Sequence, residues 1–310
     1  MKKISTPNFW NKKNHFLTFL FIPISWIYYL VTLGNKFRKV FAKNEKIKII
    51  CVGNLYVGGT GKTPLVKKIY ERINDKKKCC IIKKYRHTQI DEINFLKKNT
   101  NIITPKSRLK GLNEAENKGF SVAILDDGIQ DYTFKKDISI LCVKSNKGFG
   151  NEKILPAGPL RETLANIKNY NFALINGDKN NELNKIIEKY NPSIKIFYSH
   201  YEIKNKSKFQ GGKFLAFSGI ADNKSFFDLL YKNNINILDS KSFTDHYNFT
   251  EKDIEHLIKI SEEKNIDLIT TEKNYNNISE KFKKKIYCVK LDLIIENEDK
   301  LINEINKILF

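Results

Sequence analysis

Six consecutive residues, Gly58-Gly59-Thr60-Gly61-Lys62-Thr63, carry the types and spacing that grip a polyphosphate. Glycines let backbone N–H groups close on phosphate oxygens, helped by the N-terminus of a following helix. Lys62 would neutralise β- and γ-phosphate charge, and Thr63 would ligate Mg²⁺. The common spelling G-x-x-x-x-G-K-[ST] wants its first glycine at position 56, which is Tyr56. Further on, the apolar run FSVAIL ends in Asp126-Asp127. One of these carboxylates would reach Mg²⁺, and the other would position the metal or a phosphate-binding group. The stretch ILPAGPLRET, residues 154–163, is a rigid loop ending in Arg161-Glu162. There Arg161 could clamp transferring phosphate and Glu162 could touch metal or substrate, although a surface ion pair explains the two equally well. His246 lies among aromatics in SFTDHYNFT, ahead of a helix capped by Thr250. By itself such a histidine is more often packed than catalytic.

These residues need elements to hold them. Lys46–Val52 reads as a strand, and Lys62 to about Asn74 as a helix with Leu65, Val66, Ile69, Tyr70 and Ile73 on one face and Pro64 in its first turn. Short apolar strands at 79–82, 101–104, 120–125, 138–143, 172–176, 194–198, 213–218, 266–270 and 286–291 alternate with helical patterns, including 223–233 and 250–264. That alternation predicts an α/β fold, a mostly parallel sheet with helices on both faces. Gly211-Gly212 marks a candidate hinge. The guanine signature is missing: DDGIQ lacks D-x-x-G, and Thr271-Glu272-Lys273-Asn274 is not N/T-K-x-D, so ATP is the expected nucleotide.

The chain has 310 residues and a formal charge of +21. Such charge fits nucleic acid or an anionic membrane surface. The abundance of lysine, asparagine and isoleucine, with only five arginines, also fits a general compositional bias. No interleaved aromatic-basic motif supports nucleic-acid binding, and none is expected. Cys51, Cys79, Cys80, Cys142 and Cys288 lie in apolar runs without metal-ligand spacing and read as buried small hydrophobes. Residues 16–35, FLTFLFIPISWIYYLVTLGN, carry no charge and are flanked by Lys12, Lys13, Lys36, Arg38 and Lys39. This segment could lie in the membrane interface, cross the bilayer or form a core helix. The aromatic content and basic flanks suit the interface of an anionic membrane.

The spelling x-G-G-x-G-K-T resembles the phosphate loops of the ParA- and MinD-like switch ATPases, but those carry a signature lysine where this chain has Val57. A fuller resemblance is to the tetraacyldisaccharide 4′-kinases of lipid A synthesis. Their V-G-N-L-x-V-G-G-[ST]-G-K-T-P is similar to Val52–Pro64, D-D-G-[FI]-Q to Asp126–Gln130, and L-P-A-G-P-L-R-E to Leu155–Glu162. D-H-[YF]-x-F resembles Asp245–Phe249 and T-E-K resembles Thr271–Lys273. The motifs fall in the family's order from about residue 15 to 290.

This resemblance implies a P-loop NTPase-like core with a smaller C-terminal α/β subdomain and an N-terminal membrane-associating helix, divided at 1–40, 41–210 and 211–310. It implies ATP- and Mg²⁺-dependent phosphorylation of the 4′-hydroxyl of a lipid A disaccharide precursor, at the cytoplasmic face of the inner membrane. No obligate protein partner is expected. A catalytic Asp–His pair would fall on Asp91 and His246, and Arg108 stands where the family places an arginine after a strand. The chain departs from the pattern at Ile82-Lys83-Lys84-Tyr85 for S-R-G-Y, Ile90-Asp91-Glu92 for G-D-E, Asp131 for a frequent His, and Asn274 for the last Asp of T-E-K-D.

Overall fold

The computed structural model describes residues 7–37, 46–74, 77–245 and 247–310. By its internal contacts the chain forms two compact units. The larger comprises 7–85, 96–200 and 294–310. The smaller comprises Arg86–Phe95 and Tyr201–Leu293.

In the larger unit the strands are β1 (Lys48–Gly53), β2 (Cys79–Lys83), β3 (Ile102–Ile103), β4 (Val122–Asp126), β5 (Ile138–Lys144), β6 (Phe172–Asn176) and β7 (Lys195–Ile203). They form one sheet, completed at its far edge by β12 (Leu291–Ile295), in the order β12-β7-β6-β5-β1-β4-β2-β3. The pairs from β7 to β3 are all parallel. Every residue of β2 and β4, and all but the first of β1, is buried. Unbroken apolar strands of this kind belong to a sheet covered on both faces. Helix α2 (Lys62–Asn74) leads from β1 to β2 on one side, while β4 leads to β5 on the other. Such a reversal of strand order opens a crevice at the strands' carboxyl ends, and here it lies at the end of β1. Leu65, Val66 and Ile69 of α2 are fully buried. Helices α4 (Arg108–Asn117), α5 (Asn181–Tyr190) and α10 (Glu298–Leu309) complete the unit's longer helices after α2.

Helix α1 (Phe16–Phe37), with Pro23 inside, inverts the usual pattern. Phe16, Phe19, Leu20, Trp26, Ile27, Leu30 and Val31 are exposed, whereas Thr18 and Ser25 are buried. That exposure argues against the core-helix alternative and leaves an apolar face uncovered.

The smaller unit is built on a parallel sheet of order β11-β10-β8-β9, formed by β8 (Lys213–Ser218), β9 (Asn236–Ser242), β10 (Asp267–Thr271) and β11 (Ile286–Val289). Successive residues of β8 serve opposite faces. Phe214 and Ala216 pack with Phe226 and Leu230 of α6 (Asn223–Lys232), and Leu215 and Phe217 with Ile254 and Leu257 of α7 (Glu251–Lys264). Thr250 and Asp253 close a capping box on α7. Strand β9 is one the apolar-run reading did not mark. It is an edge strand with only Ile237 buried, so most of its residues are polar. The unit also holds most of α3 (Ile90–Lys97), and two single-turn helices, α8 (Glu272–Tyr275) and α9 (Glu280–Lys283).

Candidate active site

The glycine-rich loop leaves the end of β1 and is folded by one asparagine. Asn54 Nδ2 donates to the carbonyls of Tyr56 (2.5 Å) and Gly58 (3.2 Å), while its Oδ1 accepts from Lys62 Nζ at 3.0 Å. Gln130 Nε2 in turn donates to Asn54 O at 3.1 Å. Gly58 and Gly61 adopt φ of +122° and +87°, which only glycine takes without strain. Position 56 makes no such demand. Tyr56 pairs in an antiparallel bridge with Leu160, an extended conformation open to any residue. Thr60 is buried, and its Oγ1 has no hydrogen-bond partner among the described residues.

Sheet register brings the acidic pair to this loop. In the parallel ladder Asp126 lies beside Val52 of β1 and Lys83 of β2. Its Oδ2 accepts from Thr63 Oγ1 at 2.8 Å and from the buried Lys83 ammonium at 2.5 Å. Asp126 Oδ1 is buried with no hydrogen-bond partner among the described residues. Asp127 follows with φ +61°, a strained value for a side chain with a Cβ. Its backbone is held at both ends, N–H to Val52 O at 2.9 Å and C=O by Arg108. The Asp127 carboxylate takes Arg161 Nη1 on both oxygens at 3.0 Å and has Lys62 Nζ at 3.6 Å. Burial pushes its pKa up, but the charges of Lys62, Arg161 and Arg108 outweigh that and hold the carboxyl well below the ordinary range.

Arg161 arrives on the 151–162 loop, which hydrogen-bonds directly to the phosphate loop. Arg161 N donates to Leu55 O at 2.8 Å and Val57 N to Pro159 O at 2.9 Å. Next to it Glu162, buried, accepts from Tyr132 Oη at 2.6 Å. Burial and this bond push the Tyr132 hydroxyl far above its usual pKa. Arg108 also approaches Asp131 at 3.5 Å, and Lys136, whose pKa burial lowers, donates to Asp131 O at 2.5 Å.

The larger unit therefore gathers Gly58–Thr63, Asp126, Asp127, Arg161 and Glu162. Asp91 belongs to the smaller unit, where Lys273 Nζ lies 2.9 Å from its carboxylate and 3.5 Å from that of Asp245. His246 lies outside the described residues. Two site residues were not singled out as candidates by the sequence. Asn54 lies inside the matched V-G-N-L stretch, but its bonds to the loop and to Lys62 appear only in the fold, and Lys83 acquires its partner only through the β2–β4 register.

The family model for tetraacyldisaccharide-1-P 4′-kinases (LpxK) matches residues 17–309. The chain belongs to that family. Among tetraacyldisaccharide 4′-kinases, the one of Pelagibacter ubique (strain HTCC1062) is 39% identical, covering 99% of this chain and 98% of its own. The one of Rickettsia bellii (strain OSU 85-389) is 32% identical, covering 99% of each. A crystal structure of Aquifex aeolicus LpxK in complex with ATP superposes with a TM-score of 0.69 at 23% identity, over 95% of this chain and 100% of that one. This last likeness establishes the LpxK fold, the mostly parallel α/β architecture expected from the strand pattern. The 4′-kinase loop with tyrosine in place of its first glycine is thus the form this chain carries.

Proposed function

We propose that the chain transfers the γ-phosphoryl group of ATP to the 4′-hydroxyl of a tetraacyldisaccharide 1-phosphate in lipid A synthesis. The observation that carries this reading is the meeting of Lys62, Arg161 and Asp127 at a glycine loop, in a chain matched from end to end by 4′-kinases. In the transfer the acceptor oxygen bonds to the γ-phosphorus, the bond from that phosphorus to the β–γ bridging oxygen breaks, and the hydroxyl proton passes to a base. Lys62 and the loop N–H groups hold the β- and γ-phosphates, and Arg161 meets the charge that builds during transfer. Asp127 aims both cations before nucleotide arrives, so little reorganisation is left for the reaction.

Asp126 and Thr63 are the residues that would hold Mg²⁺, which supplies charge neutralisation across the phosphates. The buried Asp126 Oδ1 without a partner, beside an Oδ2 already shared by Thr63 and Lys83, fits that role. Asp91 would orient His246, which takes the acceptor's proton. The exposed apolar face of α1 and the net charge of +21 support attachment to an anionic membrane surface, on the ATP-containing cytoplasmic side. A cavity of about 330 Å³ beside α1, lined by Ile22, Trp26, Tyr29 and Ile154 among others, offers acyl chains an apolar wall. The switch-ATPase alternative is not favoured: position 57 is valine, and its backbone N–H is committed to the loop that carries Arg161.

The test is transfer of labelled γ-phosphate from ATP to detergent-dispersed lipid A disaccharide 1-phosphate, with and without Mg²⁺. Labelled lipid that disappears in Lys62→Ala is expected. ATP hydrolysis by folded protein without labelled lipid would overturn the reading.

A further inference from the structure

Thr18 and Ser25 stand seven residues, about two turns, apart on one face of α1. They are 1% and 5% exposed in a helix whose other face is bare apolar surface. A buried hydroxyl costs stability unless it is bonded, and both are. Ser25 Oγ accepts from Ala157 N at 3.0 Å and shares its hydrogen between Ile154 O (3.0 Å) and Phe21 O (3.2 Å). Thr18 Oγ1 accepts from Asn151 Nδ2 at 3.2 Å, and the same amide donates to Ala157 O at 2.9 Å. Both backbone polar groups of Ala157 are thus held, the N–H by the helix and the C=O by an asparagine that the helix also holds. Trp10 adds Nε1 to Pro156 O at 3.0 Å.

From that anchored turn the ladder continues into the active site. Leu155 N donates to Leu160 O at 2.9 Å and Leu160 N to Lys153 O at 3.0 Å, and residues 159–161 then pair with 55–57. The turn has no slack. A Cβ at Gly158 would fall 2.1 Å from Asn151 Oδ1 and 2.4 Å from Lys153 O. A second observation links the same elements: Tyr28 of α1 lies within electrostatic reach of both Arg161 and Glu162.

We propose that Ser25 is a positioning residue for phosphoryl transfer. The buried hydroxyl face of α1 sets the register of the 151–162 loop, and the loop delivers Arg161 to Asp127 and the phosphates. The helix that meets the lipid is then also a wall of the catalytic scaffold. This inference rests on Arg161 being the phosphate clamp.

The experiment compares Ser25→Ala, Thr18→Val, Arg161→Lys and the double variant Ser25→Ala/Arg161→Lys in lipid phosphorylation. Vesicles of phosphatidylethanolamine and phosphatidylglycerol carry the disaccharide substrate. Misplacing a catalytic group by an ångström costs up to about a hundredfold, so Ser25→Ala should lower kcat about tenfold or more, with KM for ATP within about twofold. Thr18→Val should move kcat the same way by less, and Ser25→Thr, which keeps the hydroxyl, should restore part of the loss. The double variant should lose no more than Arg161→Lys alone, because Ser25 acts through Arg161. A merely structural serine would instead give losses that multiply, and that result overturns the proposal. So does wild-type kcat in Ser25→Ala while Arg161→Lys is impaired. If Arg161→Lys is itself silent, the clamp reading fails first and this proposal falls with it. Should Ser25→Ala not fold, Thr18→Val with its own Arg161→Lys double variant decides by the same criterion.

Discussion

At the residue scale the site is organised by Asp127, a carboxylate bonded to one cation and close to another at the mouth of the phosphate loop. Lys62, which bonds Asn54 and lies 3.6 Å from Asp127, is the cation proposed to hold the β- and γ-phosphates. Lys62→Ala should lower kcat/KM for ATP by about a hundredfold or more, the scale of removing one preorganised charge from a transition state. Its thermal transition should stay near that of the wild type. A variant with near-normal turnover would mean that Lys62 does not meet the phosphates. Asp127 also ties stability to pH. Its folded-state pKa is depressed, so its stabilisation is fully present above the unfolded carboxyl value of about 3.9 and is lost as pH falls from there toward the folded value. Thermal scans between about pH 6 and pH 3 should show a smaller acid-side fall in Tm for Asp127→Asn than for the wild type. Parallel curves would remove Asp127 from the acid response.

At the element scale the site depends on how the end of β1 packs against the turn after β4. Gly53 has a negative φ, so steric room rather than backbone freedom sets its identity. A Cβ there would meet Ile129 Cγ1 at 2.2 Å, and Ile129 precedes the Gln130 that holds Asn54. Overpacking of this kind costs about 1–3 kcal/mol. Gly53→Ala should therefore lower the denaturation midpoint and also weaken ATP binding, because displaced Ile129 drags Gln130 from Asn54. Unchanged nucleotide affinity in calorimetry would show that the loop does not depend on this contact. Distances inside the element explain what the sequence could and could not show. The helix after the loop was legible to its ends, since Leu65, Val66, Ile69 and Ile73 recur at helical spacing and are all buried. Lys83 was not. A lysine in an apolar run carries no mark of its partner until the β2–β4 register sets it beside Asp126.

At the scale of the whole molecule, α1 leaves a wide apolar face exposed beside a nucleotide-binding core, and the proposed membrane attachment rests on that face. The exposed side chains of Phe19, Ile27 and Leu30 make no call on the fold, so a triple Phe19→Ser/Ile27→Ser/Leu30→Ser variant should stay folded and bind ATP within about twofold of the wild type. It should no longer sediment with vesicles containing phosphatidylglycerol, because the apolar area that drives insertion is gone. Retained sedimentation would assign the attachment to charge alone. In the wild type, raising salt from about 0.05 to 0.5 M should weaken vesicle binding without abolishing it. Salt screens the attraction of a +21 chain for anionic lipid but leaves apolar burial intact.

The sequence by itself determined the parts of this protein whose physics is local. A glycine loop between a strand and a helix, two aspartates closing an apolar strand, and an uncharged aromatic segment between lysines are set by neighbours along the chain. With the stretches Leu155–Glu162, Asp245–Phe249 and Thr271–Lys273 in their order, they carry the resemblance to the 4′-kinase family. The tertiary structure alone decided which of these groups bond to one another. Asp127 could have bonded any of several cations, and only the closure of the 151–162 loop on residues 55–57 selects Arg161. Thr18 and Ser25 are two polar residues within an apolar helix. They became its inner face because unpaired peptide groups of that loop stand opposite them, and a buried polar group must be met by another.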